Sequence, residues 1–313
     1  MRTRLEAYFE FERFGTNWNR EIVAGLTAFV TMAYIVFVNP SILHDAGVPY
    51  AGVMAATCLI AAFGSILMGV VARYPVALAP GMGLNAYFAY TVVKGMGISW
   101  HVALGAVFLS GLVFLLLTAV GVRRMIVSAI PTELYAAVAA GIGLFIALIG
   151  LRNAGIVVSN PATTVAMGNL REPRTLLAVF GLLLISGLLA RGVRAAMLTG
   201  ILATTAVGAL TGLVQWNPAW YSWAELSSTM LQLDVGGAIR TGALEIVFVF
   251  LFVDLFDNVG TLVGVGKKAG LFTEANEIPR INRILFCDAS ATVASALAGT
   301  STVVSYIESA AGV

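Results

Sequence analysis

Two carboxylates stand one helical turn apart inside an apolar stretch that is long enough to cross a membrane. They are Asp254 and Asp257, in the segment LEIVFVFLFVDLFDNVGTLVGVG that begins at residue 244. An aspartate at the centre of a bilayer costs about 2.5–3.5 kcal/mol on insertion scales, so such residues face protein or water and commonly handle a substrate or a proton. Because residues three apart project from a similar face of a helix, the spacing predicts a polar site at membrane depth.

The position of this pair also indicates what it can do. Asp254 lies near the predicted bilayer midplane, well separated in sequence from the nearest basic residues, Arg240 and Lys267. Two carboxylates this close in a low-dielectric site do not both ionise readily, so the pair can share a proton. An ionised carboxylate also accepts hydrogen bonds from the N–H groups of a purine-like ring. Asn258 and Thr261 extend the polar face by one turn. The alternative is structural, with acids that cap helix ends or hold the bundle together.

The composition is that of a membrane protein. Hydrophobic residues make up 59% of the chain, charged residues 11%, and the mean hydropathy is +0.92, whereas soluble domains are about 25% charged. Since a spanning helix needs about 20 mostly apolar residues, we predict an all-α polytopic membrane protein of about ten spans. The predicted spans are residues 22–42, 50–72, 76–93, 99–121, 132–151, 174–191, 195–215, 242–266 and 281–298, with a last one that opens near 299.

Charge, cysteines and histidines argue against several other classes of function. The net charge of +2 gives no reason to expect a nucleic-acid partner. Cys58 and Cys287 lie in apolar spans, where we expect no disulfide framework. His44 and His101 have no metal ligands nearby in the sequence, so we predict neither a metal nor a cofactor.

Basic residues set the predicted topology. With the N-terminus in the cytoplasm, most of the 18 Lys and Arg residues fall on the cytoplasmic side, which follows the positive-inside rule. We therefore expect a multi-pass protein of the inner (plasma) membrane, surrounded by lipid, with residues 1–20 as an amphipathic cytoplasmic N-terminus.

Two spans carry residues that interrupt a helix. In the third span, YPVALAPGMGLNAYFAY (74–90), Pro80, Gly81 and Gly83 fall near mid-membrane, where the helix should fail. In the tenth, SALAGTSTVVSYIESAAG (295–312), Gly299 is followed by β-branched residues that suit a short extended stretch.

The two interrupted spans are similar to each other. ALAPGMGLNAY (77–87) and ALAGTSTVVSY (296–306) share their first three residues and their last. Seven spans separate them, and an odd number inverts orientation, so they would be equivalent elements of an inverted-topology repeat. Paired interrupted segments of this kind are the best sequence indicator of a transporter binding site. The alternative is two kinked structural helices with chance similarity.

The breaks supply further candidate binding residues. The freed backbone and the side chains around the breaks can bind a polar solute; the candidates are Gly83, Asn85, Ser301, Thr302 and Glu308. For Asn85 the alternative is an interhelical hydrogen bond without a ligand, and for Glu308 a frayed end that touches water. Asp288, early in the ninth span, is predicted to be structural.

At these residues the chain resembles the nucleobase–cation symporter-2 (xanthine/uracil permease) superfamily, and within it the AzgA-type adenine/guanine/hypoxanthine permeases. The matching stretches are NWNREIVAGLTAFVTMAYIVFVNPSIL (17–43), ALAPGMGLNAYFAY (77–90), FVFLFVDLFDNVGTLVGV (248–265) and GTSTVVSYIESAAGV (299–313). The resemblance implies an inverted 7+7 repeat, with a core of spans 1–4 and 8–11 that moves against a gate of spans 5–7 and 12–14. It also implies short strands in spans 3 and 10.

The resemblance implies both a division of the chain and roles for its residues. Residues 21–121 would be core spans 1–4, 122–240 gate spans 5–7 with an outer loop, and 241–313 core spans 8–10. Substrate would lie between the two short strands, with Asp254 or Asp257 as the acid of span 8. Glu308 would be the acid of span 10 and Asn85 the polar residue of span 3. Such permeases have about fourteen spans and this sequence stops in its tenth, so we expect a C-terminally truncated chain.

The expected function is secondary active import of a purine base, adenine, guanine or hypoxanthine, by proton symport with alternating access. Asp254, Asp257 and Glu308 would couple the proton, sodium is the alternative ion, and a homodimer stays open. An anion (sulfate-type) or uracil/xanthine transporter of the same fold is the alternative function. An intramembrane aspartyl protease is disfavoured, because no acid follows the Gly-x-Gly of GMGLN and both aspartates share one helix.

Overall fold

The protein is a bundle of apolar helices with two short strands at its centre. We describe a computed structural model that covers residues 2–122, 125, 132–193, 195–213, 223–242, 244–268, 270 and 278–312. Up to the first strand the helices are α1 (Arg2–Tyr8), α2 (Phe11–Phe14), α3 (Trp18–Met32), α4 (Ile35–His44) and α5 (Tyr50–Leu67), the last continued by a π-helical turn, Met68–Ala72. Strand β1 (Leu78–Pro80) is followed by α6 (Met82–Ala86), a π-helical segment (Tyr87–Gly95) and α7 (Trp100–Ala119).

The rest of the chain adds further helices, a hairpin of two strands and a fourth strand. Its elements are α8 (Thr132–Asn153), a hairpin of β2 (Val157–Asn160) and β3 (Thr164–Met167), α9 (Pro173–Ala190), α10 (Ala196–Leu210), α11 (Trp223–Leu226), α12 (Val235–Arg240), α13 (Leu244–Lys268), α14 (Ile281–Ala298), β4 (Val303–Ser305) and a 3₁₀ helix, Ile307–Ala311.

Five helical segments in the described ranges have the length and hydropathy to cross a membrane. They are Trp18–His44, Tyr50–Ala72, Trp100–Ala119, Pro173–Ala190 and Leu244–Gly266, and two shorter apolar helices are Gly143–Asn153 and Ala196–Leu210. Their side chains supply the apolar surface that a lipid environment requires. The polytopic membrane architecture expected from the composition therefore agrees with the structure.

The two interrupted spans meet as an antiparallel pair of strands. β1 pairs with β4 in the register Leu78↔Ser305, Ala79↔Val304 and Pro80↔Val303. The pairing is extended on either side, where Gly81 N donates to Thr302 O at 2.9 Å and Tyr306 N donates to Ala77 O at 3.0 Å. These bonds make Pro80 and Val303 a non-hydrogen-bonded pair, so the missing N–H of proline removes no bond from the ladder.

Hydroxyl groups of two neighbouring helices bond one residue on the outward edge of each strand. The Ser65 hydroxyl of α5 accepts from Leu78 N at 3.1 Å and donates to Leu78 O at 3.2 Å. The Thr292 hydroxyl of α14 makes the same two contacts with Val303, each at 3.4 Å. A two-stranded ribbon exposes both edges, and these hydroxyls connect each edge to a neighbouring helix.

Close helix packing around the strands depends on glycines. A Cβ on Gly111 of α7 would lie 2.9 Å from Val293 Cγ2 of α14, and one on Gly64 of α5 would lie 3.0 Å from Leu78 Cβ. Helices α5, α13 and α14 contact the strand pair, and α7 packs behind it against α13 and α14. Helices α9 and α10 pack against each other at Gly181, whose Cβ would lie 2.7 Å from Thr204 Oγ1.

The segment before α13 packs on the end of α14, on the start of α7 and, near Gly52, on the start of α5. Thr229 Oγ1 donates to Ala298 O at 3.1 Å and Leu231 N donates to Leu297 O at 2.7 Å, both at the end of α14. Asp234 N donates to His101 O at 2.8 Å, at the start of α7. Residues 223–240 therefore lie against the helices that surround the strands.

The N-terminal segment makes a similar contact at the opposite ends of α5 and α14. Glu10 bonds the guanidinium groups of Arg13 (2.7 Å), Arg73 (3.2 Å) and Arg280. The hydrogen bond from Arg13 lowers the pKa of the Glu10 carboxyl below its ordinary value. Tyr8 OH donates to Val70 O at 2.7 Å, so α1 and α2 are fastened to the end of α5 and the approach to α14.

The register of the strands predicts a disulfide between Leu78→Cys and Ser305→Cys in a background with Cys58→Ser and Cys287→Ser. Residues of a non-hydrogen-bonded pair have Cα atoms about 4.5 Å apart, within the range that a disulfide spans. We expect oxidation to form an intramolecular cross-link, measured as a loss of free thiols. The pair Leu78→Cys and Val303→Cys, displaced by two residues, is the matched control. Equal cross-linking of both pairs would contradict the register.

Candidate functional site

The breaks of spans 3 and 10 lie side by side at the centre of the bundle. Gly81 is extended (φ −78°) and helix α6 begins directly after it, while Ser301 and Thr302 form the irregular link between α14 and β4. The Gly81–Thr302 bond joins the two breaks. Helix α13 packs against α6, β4 and the 3₁₀ helix that follows, so its polar residues reach the same region.

Several buried polar atoms on these elements have no hydrogen-bond partner among the described residues. They are the hydroxyl oxygens of Ser301, Thr302 and Ser305, Oδ1 of Asn85, and both amide atoms of Asn258. Leaving a buried donor or acceptor unsatisfied costs about 1–3 kcal/mol, and these atoms sit on elements that contact one another. The crossing of the two spans is therefore suited to a polar solute with both donors and acceptors.

The two aspartates of α13 differ in environment. Asp254 is fully buried, whereas Asp257 is partly exposed. Two further acids lie on other elements, Asp288 on α14 and Glu308 in the 3₁₀ helix after β4. Asp288 is itself fully buried. The acids of this region thus come from three separate parts of the chain.

Glu308 is positioned by the first span. Its Oε1 accepts a hydrogen bond from Tyr34 OH at 2.5 Å, and Tyr34, between α3 and α4, is buried. Thr31 Oγ1 contacts the backbone oxygen of Glu308 at 3.4 Å. Two residues earlier, Tyr306 OH donates to Pro80 O at 2.6 Å, so both side chains connect the tenth span to a neighbouring one.

Asn85 takes part in a buried hydrogen-bond network. Its Nδ2 donates to Asn39 Oδ1 at 2.6 Å. Asn39 Nδ2 in turn donates to Thr57 Oγ1 at 2.7 Å and to Thr300 Oγ1 at 2.9 Å. All four residues have no exposed surface. The network joins α4, α5, α6 and Thr300, two residues after the end of α14.

The predicted site residues are brought to one region by four parts of the chain. Gly83, Asn85, Ser301 and Thr302 lie at the crossing of the interrupted spans, with Asp254 and Asp257 on the adjoining α13 and Glu308 just after β4. The sequence did not single out Tyr34, Asn39 or Ser305, and noted Asn258 only as part of a polar face. A usable signal was present, since Asn39 and Asn258 are polar residues inside apolar spans.

The region differs from an open apolar groove that lies beside the strand pair. That groove, of about 470 Å³, lies between α3 and α5 and is lined by Phe29, Met32, Ala61 and Tyr74 among others. Its lining is mainly apolar, and it includes none of the asparagines or aspartates of the crossing. Within the described ranges, moreover, no group of three His, Cys, Asp or Glu side chains is arranged to hold a metal ion.

Comparison with known proteins agrees with this architecture. The sequence model of the permease family, which takes its name from xanthine and uracil permeases, matches residues 19–313. The adenine permeases AdeP and AdeQ of Escherichia coli K12 are 44% and 43% identical to this chain over 309 residues, 99% of its length and 69% and 70% of theirs. The guanine/hypoxanthine permease PbuG of Bacillus subtilis 168 is 42% identical over 321 residues, 99% of this chain and 73% of its own.

These matches cover nearly all of the chain and include the interrupted spans and the aspartate helix. The chain therefore belongs to the xanthine/uracil permease family, the nucleobase:cation symporter-2 superfamily, and within it is similar to adenine and guanine/hypoxanthine permeases.

Proposed function

We propose that this protein is a secondary active transporter that carries a purine nucleobase across the cytoplasmic membrane. The observation that carries the proposal is the set of buried polar atoms without hydrogen-bond partners at the crossing of spans 3 and 10. The relatives named above are adenine and guanine/hypoxanthine permeases, and a purine of that group is the substrate that the site would take.

The chemistry of the site suits the edges of a purine. A purine presents ring N–H groups as donors and unprotonated ring nitrogens as acceptors. Asp254 and Asp257 would accept from N–H groups, while the hydroxyls of Ser301 and Thr302 can donate or accept. Asn258, with both amide atoms open, offers one donor and one acceptor group from a single side chain.

The remaining predicted residues complete the proposed site. Gly83 and Asn85 would contribute from the first turns of α6, and Glu308 from the turn after β4. A helix N-terminus favours a polar group that accepts hydrogen bonds. We assign to this site the residues Asp254, Asp257, Glu308, Asn85, Gly83, Thr302 and Ser301, and we add Asn258.

Two equivalent sets of contacts support an inverted repeat. Ser65 on α5 bonds both backbone groups of Leu78, and Thr292 on α14 bonds both backbone groups of Val303. Each pair is a hydroxyl on one span and a strand residue on the next. The strand residues Leu78 and Val303 are 225 residues apart, so the 219-residue offset that aligns ALAPGMGLNAY with ALAGTSTVVSY does not match the equivalence of the strands.

The segments that precede these spans support the same symmetry. Residues 2–16 precede span 1 and contact Val70 and Arg73 at the end of α5. Residues 223–240 precede span 8 and contact Leu297 and Ala298 at the end of α14. In an inverted repeat these helix ends face opposite sides of the membrane, and each segment would fasten the core on one side.

This arrangement supports a division into a core and a gate. The core would comprise residues 21–121 and 241–313, to which we add 223–240 because of their contacts with α5, α7 and α14. Helices α8, α9 and α10 would belong to the gate. Alternating access would then arise from movement of the core against the gate around a fixed site, with the N-terminus in the cytoplasm.

The acids provide a route for coupling to protons. Asp254 and Asp257 lie one helical turn apart on α13, which also contacts the 3₁₀ helix that carries Glu308, and carboxylates this close in a low-dielectric region can share a proton. Binding of one proton by this group would relieve the repulsion and prepare the site for a neutral purine. We therefore propose proton symport, with sodium as the competing coupling ion.

The aspartate assignment predicts that Asp254→Asn lowers purine uptake by at least roughly tenfold, since the change removes the charge-assisted acceptor of a ring N–H. Asp257→Asn should lower it to a comparable extent by disturbing proton binding. The measurement is initial-rate uptake of labelled hypoxanthine, at matched membrane abundance, in cells without their own purine permeases.

A matched control for these variants is Asp234→Asn. Asp234 caps α12 through a 2.7 Å bond from Gly237 N, and asparagine caps a helix about as well as aspartate. Uptake by this variant should stay within about twofold of the parent. Near-normal uptake by both Asp254→Asn and Asp257→Asn would overturn the assignment.

Proton coupling predicts that Glu308→Gln keeps the exchange of hypoxanthine across the membrane but loses its concentrative uptake. The neutral side chain keeps a hydrogen-bond acceptor for Tyr34 OH but cannot release a proton. We expect the variant to exchange external for internal hypoxanthine while it loses concentrative uptake, and an uncoupler should abolish concentrative uptake by the parent. Parent uptake that resists the uncoupler but requires sodium would contradict proton coupling.

A further inference from the structure

Asn39 is placed where both interrupted spans can be held by one side chain. Its carboxamide bonds Asn85, in the helix after the first break, and Thr300, at the second break. The third partner is Thr57 on α5. All three bonds are 2.6–2.9 Å long and all of the residues are buried, so solvent does not compete for them.

The Thr57 hydroxyl fixes the direction of these bonds. Thr57 Oγ1 donates its single hydrogen to Val53 O at 2.6 Å. A hydroxyl whose hydrogen is used can only accept from its other neighbours. The atom of Asn39 that faces Thr57 must therefore be the amide nitrogen, and the carbonyl Oδ1 must face the opposite way, towards Asn85.

The orientation of the Asn39 carboxamide in turn fixes the orientation of the Asn85 carboxamide. Since Asn39 Oδ1 can only accept, Asn85 must present its Nδ2 there, at 2.6 Å. Asn85 Oδ1 is then turned away from the network, buried and without a hydrogen-bond partner among the described residues. Asn85 thus presents its acceptor atom, Oδ1, to a solute. Asn258 has no such constraint, because neither its Oδ1 nor its Nδ2 has a hydrogen-bond partner among the described residues.

We propose that Asn39 and Thr57 are positioning residues that fix Asn85 as a hydrogen-bond acceptor, so that the site selects a purine with an N–H donor at that point. The proposal rests on the proposed function and deepens it. Neither positioning residue needs to touch the substrate. Reversal of the network would turn Asn85 Nδ2 towards the solute and break the bond from Thr57 to Val53, and loss of the Thr57 hydroxyl removes this preference.

The consequence is a preference among purines that depends on a residue outside the site. When a donor faces a donor, or an acceptor faces an acceptor, two buried atoms are left without a hydrogen bond. Adenine and hypoxanthine have opposite donor and acceptor patterns at positions 1 and 6. The 7-deaza and 9-deaza analogues of hypoxanthine change the pattern of the five-membered ring. These compounds, with guanine and xanthine, probe both edges of the base.

The test is the set of inhibition constants of these six compounds against labelled hypoxanthine uptake, for the parent and for Thr57→Val. Valine matches the shape of threonine but has no hydroxyl. In the parent we expect the inhibition constants of at least one pair of compounds to differ by a ratio of roughly tenfold or more. In Thr57→Val the largest of these ratios should fall at least about threefold towards unity.

Two further variants distinguish loss of the fixed amide orientation from simple loss of a hydrogen bond to Asn39. Thr57→Ser keeps the hydroxyl and should retain the parent ratios. Thr300→Val removes another bond to Asn39 Nδ2 but leaves Thr57 in place, so its ratios should also be retained even if its maximal rate falls. If Thr57→Val does not accumulate in the membrane, Asn39→Ala replaces it, with the same expected loss of selectivity.

Each outcome has a definite meaning. Ratios that are unchanged in Thr57→Val, or lost equally in Thr57→Val and Thr300→Val, would overturn the positioning role while the purine site stands. A change in maximal rate alone, with every ratio retained, would also overturn it. Absence of purine uptake or inhibition in the parent would instead contradict the proposed function.

Discussion

The backbone at the crossing of the two interrupted spans is the constraint on which the rest of the structure depends. An N–H or C=O group without a partner costs several kcal/mol in hydrocarbon, and each interruption frees such groups at membrane depth. The pairing of Leu78–Pro80 with Val303–Ser305 satisfies the groups that face each other. The hydroxyls of Ser65 and Thr292 bond the outward-facing groups of Leu78 and Val303, and Tyr306 OH donates to Pro80 O. With these backbone groups bonded, the crossing can present side chains to a solute.

The surrounding elements follow from this need for a fixed crossing. Glycines at 64 and 111 allow the helices to approach the strands and each other closely, and the segments 2–16 and 223–240 fasten the helix ends. Asn39 then joins both breaks through one carboxamide. A site built on such a frame is already organised before a solute binds, which reduces the entropy cost of binding. The atoms that stay open, on α6, α13 and the link to β4, are those that we assign to substrate.

The sequence predicts most of this frame and part of the site. Proline and glycine interrupt helices by local sterics, so the breaks at Pro80 and Gly299 are readable without a structure. The network of Asn39 and the bond of Tyr34 are not readable, because their partners Thr300 and Glu308 lie 261 and 274 residues away. The aspartate pair was predicted to share a face. At 3.6 residues per turn, three residues leave about 60° between side chains, enough for Asp254 to be fully buried while Asp257 is partly exposed.

The central claim is that the open polar groups at the crossing bind a purine. The most direct test is uptake of labelled hypoxanthine by this protein in cells without other purine permeases, in competition with unlabelled adenine, guanine, uracil and sulfate. The account predicts saturable uptake that at least one of the purines inhibits at low concentration and that sulfate and uracil leave unchanged. Inhibition by sulfate or uracil, or no uptake at matched membrane abundance, would contradict it, and the aspartates and open amides would then serve another solute.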